Sequence, residues 1–326
     1  MNLLVLLLVE SAASWHASCL HGPHRLQDRK ALNVHIANRG KLSMSISPTA
    51  ASSLEFEAAT TESLPEVASF FVEAFWLAST TFGDPIELSS GERNQLIRTV
   101  SADLGARYGL LRSKRPETLR GNTRDSSSLF SSKLIVARDG SGGAVVGCAG
   151  IEGSLFDTAS GAVLRSDQAS RLLRTEIDNL DSSESEEAAS TYAESGIGAL
   201  AERVLQESCS LAQPWACSYV PYALLANLAV APAFRRTGLG RELCAVCELG
   251  CEEWGLRSML LQVEEGNGAA RRLYERLGYS QIYSAEATSV RLSPAKPTLF
   301  SALLPLENDS LLREEPSMLV TMAKSV

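Results

Sequence analysis

The order of predicted elements between residues 224 and 279 constrains the fold of this chain more than any other feature. An apolar strand, a helix, a second strand and a second helix follow one another there. The first strand lacks polar alternation, which is typical of a strand covered on both faces. Because a helix that connects neighbouring strands makes a parallel crossover, this order predicts an α/β fold whose mixed sheet has parallel pairs in its second half. The four elements are strands 223–230 and 258–263 and helices Gly240–Trp254 and 268–277.

Further elements are predicted on both sides of this run. Two β-branched runs are separated by the turn sequence DGSGG, which predicts a hairpin. The remaining predictions follow from helical spacing or from short apolar runs. The predicted elements are a strand at 54–59, helices at 65–77 and 90–111, hairpin strands at 133–138 and 143–151, and late strands at 280–284 and 318–323.

An acidic segment at about 157–207 interrupts this pattern. It carries eleven acidic residues and four basic ones, and its centre, DNLDSSESEE, has no apolar periodicity. Charge runs of this kind are typical of solvated surface, although an acidic segment also suits the recruitment of basic protein substrates. We expect a partly disordered insertion with short helices on either side.

The charge of the chain limits its partners. Its 326 residues carry a net charge of −8, so the chain lacks the basic field that binding to phosphate backbones or anionic lipid requires. We therefore expect no nucleic-acid partner and, in the mature form, no membrane partner.

The first 50 residues differ from the rest. An apolar run, Leu3–Val9, precedes a basic stretch at 29–53 that is rich in serine and alanine and has no acidic residue. This composition is typical of a cleaved presequence that directs a protein to the plastid, with a mitochondrial presequence or a disordered tail of a cytosolic protein as alternatives. All four histidines lie in this segment, so its removal excludes a Ser-His-Asp triad and a histidine-ligated metal.

The cysteines are predicted to be reduced and to have no metal. Cys244, Cys247 and Cys251 fall on one face of a predicted helix, where small thiols pack as ordinary core residues, and no second pair completes a zinc site. Cys209 and Cys217 flank a loop. Reduced thiols are typical of a stromal or cytosolic compartment.

The sequence RRTGLG at 235–240 predicts an anion site. Glycines let the backbone approach a ligand, and the first turn of a helix offers free N–H groups that hold phosphate. The spacing rejects a dinucleotide fold, since Leu243 stands where a third glycine is needed, and rejects a P-loop, since Arg241 follows Gly240.

Three motifs in order resemble the GNAT acetyltransferase superfamily. They are the strand end N-L-A-V-x-P, the loop R-x-x-G-x-G and the helix N-x-x-A-x-x-L-Y-x-x-x-G-Y. The sequence around these motifs is most similar to that of the plastid GNAT proteins of plants and algae. The resemblance implies a GNAT fold over residues 54–326, in which a mixed, mostly antiparallel central sheet is flanked by helices and splayed to admit acetyl-CoA, the only cofactor expected.

The resemblance also implies roles for individual residues. The strand backbone would face the pantetheine arm and thioester, the glycine loop would wrap the pyrophosphate, and residues of the second helix would complete the site. Tyr274 would donate a proton to the departing thiolate, although helix tyrosines are usually core residues. Glu264 and Glu265 are candidates for the base, which stays open. The cofactor-binding candidates are Leu228, Ala229, Val230, Arg235, Arg236, Thr237, Gly238, Leu239, Gly240, Asn267, Ala270 and Tyr274.

The function that the resemblance implies is direct transfer of acetyl from acetyl-CoA to an amine. Protein N-termini and lysine side chains are the expected acceptors, and a small, polyamine-like amine is the alternative within the enzymes. A non-catalytic acyl-CoA-binding regulatory module is the alternative of another class.

Overall fold

The computed structural model describes residues 34–37, 41–44, 54–78, 87–110, 128–140, 142–180, 182–210, 216–292 and 312–326. The strands are β1 (Val34–Ala37), β2 (Lys41–Met44), β3 (Leu54–Ala58), β4 (Ser132–Asp139), β5 (Val145–Asp157), β6 (Val163–Leu164), β7 (Tyr219–Val230), β8 (Ser258–Glu264), β9 (Ser280–Leu292) and β10 (Leu312–Ser325). The α-helices are α1 (Leu64–Phe71), which continues as a π-helix at Val72–Leu77, α2 (Ser90–Arg107), α3 (Ser166–Asn179), α4 (Ser182–Ser210), α5 (Leu239–Glu253) and α6 (Gly268–Arg276). Short 3-10 helices lie at Ala216–Ser218 and Pro232–Phe234.

The main sheet confirms the predicted mixed, mostly antiparallel architecture. Its strand order is β3-β4-β5-β7-β8-β10-β9, and β6 pairs with β5. Within the described strands, β7 and β8 form the single parallel pair. The prediction of several parallel pairs was wrong because β10 inserts antiparallel between β8 and β9, so α6 does not connect neighbouring strands.

The helices cover both faces of this sheet. On one face α1 and α2 pack against Val136, Cys148 and Ala229. On the other face α3 to α6 pack against alternate residues of the same strands, among them Ala149 and Ile151. This alternation follows from the two-residue period of a strand, and it explains the continuous apolar runs in the sequence.

The sheet opens between β7 and β8. Their parallel pairing covers Ala223–Leu225 against Met259–Leu261 and then stops. Beyond this point β7 continues to pair with β5, while β8 continues to pair with β10 as far as Glu264. The result is a gap between residues 226–230 and 262–264.

The acidic segment differs from the prediction. It forms the two helices α3 and α4, with a kink at Gly196. Leu173, Ala188 and Val204 are buried in the core, and the buried Glu176 accepts a hydrogen bond from Ser208 at 2.6 Å. The expectation of an irregular centre was wrong because apolar residues spread across both helices anchor them to the sheet, while acidic residues other than Glu176, such as Glu186 and Glu194, are exposed.

One pair of cysteines also differs from the prediction. Cys209 and Cys217 form a disulfide, so the expectation that all thiols are reduced was wrong for this pair. The 3-10 helix at Ala216–Ser218 brings Cys217 back to the end of α4, with 5.0 Å between the two Cα atoms, a separation that suits a disulfide. Sequence spacing does not show whether a loop returns in this way.

Much of the predicted presequence lies outside the described residues, and within it the structure describes the antiparallel pair β1–β2. Of the helices described, none has the length and apolar character needed to cross a bilayer.

Candidate active site

A β-bulge in β7 creates the opening of the sheet. Cys148 lies opposite Ala229 and Gly150 lies opposite Ala226, so Asn227 and Leu228 together face Ala149. Asn227 has a φ of 54°, a left-handed conformation that asparagine tolerates better than most residues. The extra residue turns β7 away from β8 immediately after their last paired residues.

The bulge also decides where the backbone of β7 points. The Ala231 N–H donates to the Val146 carbonyl of β5 at 2.9 Å. Because backbone groups alternate along a strand, those of Ala229 point in the same direction, whereas those of Leu228 and Val230 point into the gap. Of the three predicted strand residues, Leu228 and Val230 therefore offer backbone groups to a ligand.

The loop after β7 presents a set of free amides. Arg236 has a φ of 68° and Gly238 a φ of 103°, and these turns aim successive N–H groups outward. Across the described residues, the N–H groups of 236–240 donate to no protein acceptor. Gly238 is the N-cap of α5, so the positive end of that helix dipole adds to the site. We call residues 235–240 the cradle.

The arginines of this region have different roles. The Arg235 guanidinium donates to the carbonyls of Val230, Ala74 and Ala78 at 3.3, 2.8 and 3.1 Å, so it ties the π-helix to β7 and is not aimed at a ligand. Arg241, which the sequence did not single out for binding, lies over the cradle. Its Nη2 is 3.5 Å from the position that a Cβ on Gly238 would take.

Helix α6 closes the site from the side of α5. Asn267 is its N-cap, as predicted, and the Asn267 Oδ1 accepts from the Ala270 N–H at 3.1 Å. Leu273 reaches to 3.4 Å from the place of a Cβ on Gly240, and Val230 lies at 3.8 Å from the same point. Val230 of the strand end and Gly240 of the loop thus lie close to each other and to Leu273 of α6, at one edge of the gap.

Tyr274 lies on the buried face of α6, near Cys244 and Cys247 of α5. Its side chain is 8% exposed, and its ring packs edge-on against Tyr279 at 5.9 Å between centroids. Burial raises the pKa of its hydroxyl well above the ordinary value, so the phenol is neutral. A neutral phenol can donate a proton. The same burial also agrees with a tyrosine that only packs in the core.

The carboxylates proposed as bases differ in their surroundings. Arg291 binds Glu264 with two hydrogen bonds, at 2.7 and 2.6 Å, so both carboxylate oxygens are engaged. Glu265 is exposed.

A buried polar network beside the bulge was missed by the sequence reasoning. Glu152 of β5 is 1% exposed and binds Arg107, and the next residue, Tyr108, accepts a hydrogen bond from the Asn227 Nδ2 at 2.8 Å. The signal in the sequence was Glu152 itself, since a carboxylate inside a buried apolar strand requires a partner.

The four free cysteines that the structure describes lie in the core, as predicted for those of α5. Burial raises the pKa of Cys148, Cys244 and Cys251 to about 12, so these thiols are protonated. The described part of the chain contains no group of three or more metal-ligating side chains.

Comparison with known proteins agrees with the motifs. Residues 167–279 match the Acetyltransferase (GNAT) family. Over 61 residues the chain is 34% identical to GCN5-related N-acetyltransferase 10, chloroplastic, of Arabidopsis thaliana, a match that covers 19% of this chain and 24% of that protein. Over 59 residues it is 41% identical to ribosomal protein bS18-alanine N-acetyltransferase of Escherichia coli K12, covering 18% and 40%. The chain thus spans less than half of the length of these relatives.

Solved structures are more distant. A GNAT-family acetyltransferase from Streptococcus pneumoniae has a TM-score of 0.38 at 14% identity, covering 84% of this chain and 99% of that one. The ribosomal-protein-S18-alanine N-acetyltransferase of Escherichia coli has a TM-score of 0.36 at 15% identity, covering 84% and 94%. Assignment therefore depends on the sequence match, which is to the GNAT acetyltransferase family over residues 167–279.

Proposed function

We propose that this protein is an N-acetyltransferase that transfers the acetyl group of acetyl-CoA to an amine, and that this amine belongs to a protein. The observation that carries the proposal is the gap between β7 and β8, which opens directly beside a cradle of unpaired amides. A gap edged by strand backbone suits the pantetheine arm, and free amides at a helix N-terminus suit a pyrophosphate.

The residues present fit this ligand. The backbone groups of Leu228 and Val230 would bind the amides of the pantetheine arm as a neighbouring strand does. The amides of 236–240, with Arg241, would bind the pyrophosphate, and Asn267 and Ala270 would hold the start of α6 beside it. Gly238 suits the cradle because its φ of 103° is one that a side chain rarely adopts.

The proposed chemistry needs little more than positioning and proton transfer. Acetyl-CoA supplies an activated acyl group, and the amine nitrogen forms a bond to its carbonyl carbon while the carbon–sulfur bond breaks. A strand N–H of β7 would stabilise the negative charge that develops on the carbonyl oxygen. Tyr274, held neutral by burial, would give its proton to the leaving sulfur, and the proton lost by the amine would pass to water.

Direct transfer, without a covalent enzyme intermediate, agrees with the state of the cysteines. Cys148 lies next to the bulge, but its pKa of about 12 leaves almost no thiolate at neutral pH. Cys209 and Cys217 are joined to each other. Neither state supplies a nucleophile for acyl transfer.

The acceptor class and location are proposed on weaker grounds, from the relatives and the charge. One relative is named for acetylating an alanine of a ribosomal protein, and another is named chloroplastic. The exposed acidic side chains of α4, such as Glu186 and Glu194, favour a cationic acceptor. We therefore propose protein N-termini or lysines as acceptors and the plastid as the location.

A thiol-release assay tests the proposal. The purified chain is incubated with acetyl-CoA and peptides that have a free N-terminus, an internal lysine, both or neither, and with spermidine in a parallel reaction. Mass spectrometry then locates the acetyl group. We expect CoA release that depends on a peptide amine. Release with spermidine alone would replace the protein acceptor with a small amine, and binding of acetyl-CoA without release in any reaction would overturn the enzymatic proposal.

A further inference from the structure

We propose that Tyr108 is a positioning residue for acetyl transfer, because its hydrogen bond with Asn227 fixes the bulge that separates β7 from β8. This inference rests on the proposed function and assigns a role to the end of α2, a region that none of the three family motifs includes.

Tyr108 lies in a place shaped for its hydroxyl. It follows directly on α2, is 5% exposed, and receives the Asn227 Nδ2 at 2.8 Å from its oxygen. Gly150 makes room for it, since a Cβ there would lie 1.8 Å from the Tyr108 hydroxyl oxygen. Any larger residue at 150 would push the ring away from Asn227.

A buried ion pair holds the neighbouring residue in place. The Arg107 Nε donates to Glu152 at 2.8 Å, and the Arg165 Nε lies 3.8 Å from the same carboxylate. A buried ion pair adds little net stability compared with apolar side chains of equal size, since desolvation costs about as much as the attraction returns. What the pair does supply is a fixed position for the end of α2 and hence for the Tyr108 ring.

The hydrogen bond between Tyr108 and Asn227 has one possible direction. The Asn227 Nδ2 is an amide nitrogen, which can only donate, so the Tyr108 oxygen is the acceptor. Burial raises the pKa of Tyr108, so the phenol keeps its own proton. The Cys148 thiol lies 3.6 Å from the Asn227 carbonyl, so both ends of this residue are held from the α1–α2 face of the sheet.

The bulge transmits this position to the ligand side. Asn227 directly precedes Leu228, whose backbone points into the gap, and Val230 follows two residues later. Rotation of Asn227 would therefore change the direction of the groups that bind the pantetheine arm and the thioester. Tyr274 packs in the core on the opposite face of the sheet, whereas Tyr108 packs on the α1–α2 face.

The test compares Tyr108→Phe, Asn227→Gly and the double variant with the wild-type chain. Asn227→Gly keeps the left-handed conformation accessible and removes the amide. Tyr222→Phe is the matched control, because Tyr222 lies on the same strand at the other end and packs against Phe156. The measurements are kcat and KM for acetyl-CoA in the thiol-release assay, and amide hydrogen exchange of residues 222–231 in the protein without ligand.

We expect each single variant to lower kcat about tenfold, to raise KM for acetyl-CoA by a smaller factor, and to speed exchange of the bulge amides about tenfold, while the control changes nothing. The double variant should lose no more than the worse single variant, because both remove one hydrogen bond. A fall in thermal stability with unchanged kcat and exchange would overturn the inference. If the wild-type chain transfers acetyl to no amine, the proposed function fails. Amide hydrogen exchange then decides whether Tyr108 fixes the bulge: faster exchange in the variants supports this, and unchanged exchange overturns it.

Discussion

The bulge lies on β7 and the cradle follows the end of that strand a few residues later, yet the two are built in opposite ways. Residues 235–237 of the cradle are exposed, and the amides at 236–240 donate to no acceptor in the part of the chain that the structure describes. The bulge is partly buried, and its Asn227 is held by Tyr108 and Cys148. The difference teaches that a ligand's charged end is bound by groups that the fold leaves free, whereas its reacting end is positioned by groups that the fold has already paired. The predictions below test this division.

The largest effect is expected at the cradle. Gly238→Glu should weaken CoA binding at least about 100-fold, since it brings a carboxylate to the proposed pyrophosphate site and forces a side chain into a φ of 103°. Isothermal titration with CoA measures the change. Gly91→Glu is the control, because Gly91 lies in open space at the start of α2. Equal affinity of both variants would show that the cradle does not bind the pyrophosphate.

Tyr274→Phe should affect the chemistry and not the binding. Loss of a general acid lowers kcat about 100-fold, while CoA affinity stays within about twofold. The thiol-release assay and titration with CoA separate these quantities. Tyr192→Phe, at an exposed tyrosine on α4, is the control. An unchanged kcat would reduce Tyr274 to a packing residue.

On the bulge side, Gly150→Ala should lower the free energy of unfolding by roughly 1–3 kcal/mol, because its Cβ would overlap the Tyr108 hydroxyl. Urea unfolding measures it. Gly91→Ala is the matched control, and there a small gain of about 0.5 kcal/mol is expected, since the new methyl meets no atom within 4 Å. If the two variants have the same stability, Tyr108 does not occupy this place.

Arg235 and Arg241, six positions apart, test the same division between groups that the fold has paired and groups that it leaves for a ligand. Arg241→Ala should weaken CoA binding about tenfold, and more at low salt, because its guanidinium lies over Gly238. Arg235→Ala should instead lower the free energy of unfolding by about 1–2 kcal/mol, because Arg235 binds three backbone carbonyls. Titration and urea unfolding of both variants check this, and the reverse pattern would assign the ligand contact to Arg235.

The smallest effect is expected for a more exposed ion pair, between Arg138 and Glu66. Its contribution to stability can be compared with that of the buried pair between Arg107 and Glu152. Arg138 binds Glu66 at 2.8 Å and lowers the pKa of that carboxyl below its ordinary value of 4.5. The stabilisation is therefore present above this value and is lost as the pH falls through the lowered pKa. Glu66→Gln should cost about 0.5 kcal/mol at pH 7 and nothing near pH 2. Urea unfolding at both pH values measures this, with the exposed Glu286→Gln as control, and a cost that persists in acid would show that the charge is not its source.

The sequence predicted local features well because each depends on neighbouring residues. The cap of α6 by Asn267, the packing of the α5 cysteines and the strand that ends before Pro232 all follow from spacing within one turn or one strand. In the acidic segment the sequence predicted only short helices on either side of a disordered centre. The full length of α3 and α4 was missed because their apolar positions are sparse and gain their energy from the sheet beneath.

The sequence by itself determined the class of fold, the cradle and the resemblance to the GNAT family, since a strand, a glycine-rich turn and a helix start are encoded by adjacent residues. The tertiary structure alone decided the length of the β7–β8 pairing, the disulfide, the placement of Arg235 and the contact between Tyr108 and Asn227. The physical reason is distance along the chain. Tyr108 and Asn227 are 119 positions apart in the sequence. Only the packing of α2 on the sheet brings the tyrosine hydroxyl to the asparagine amide, where Gly150 of β5 leaves room for it.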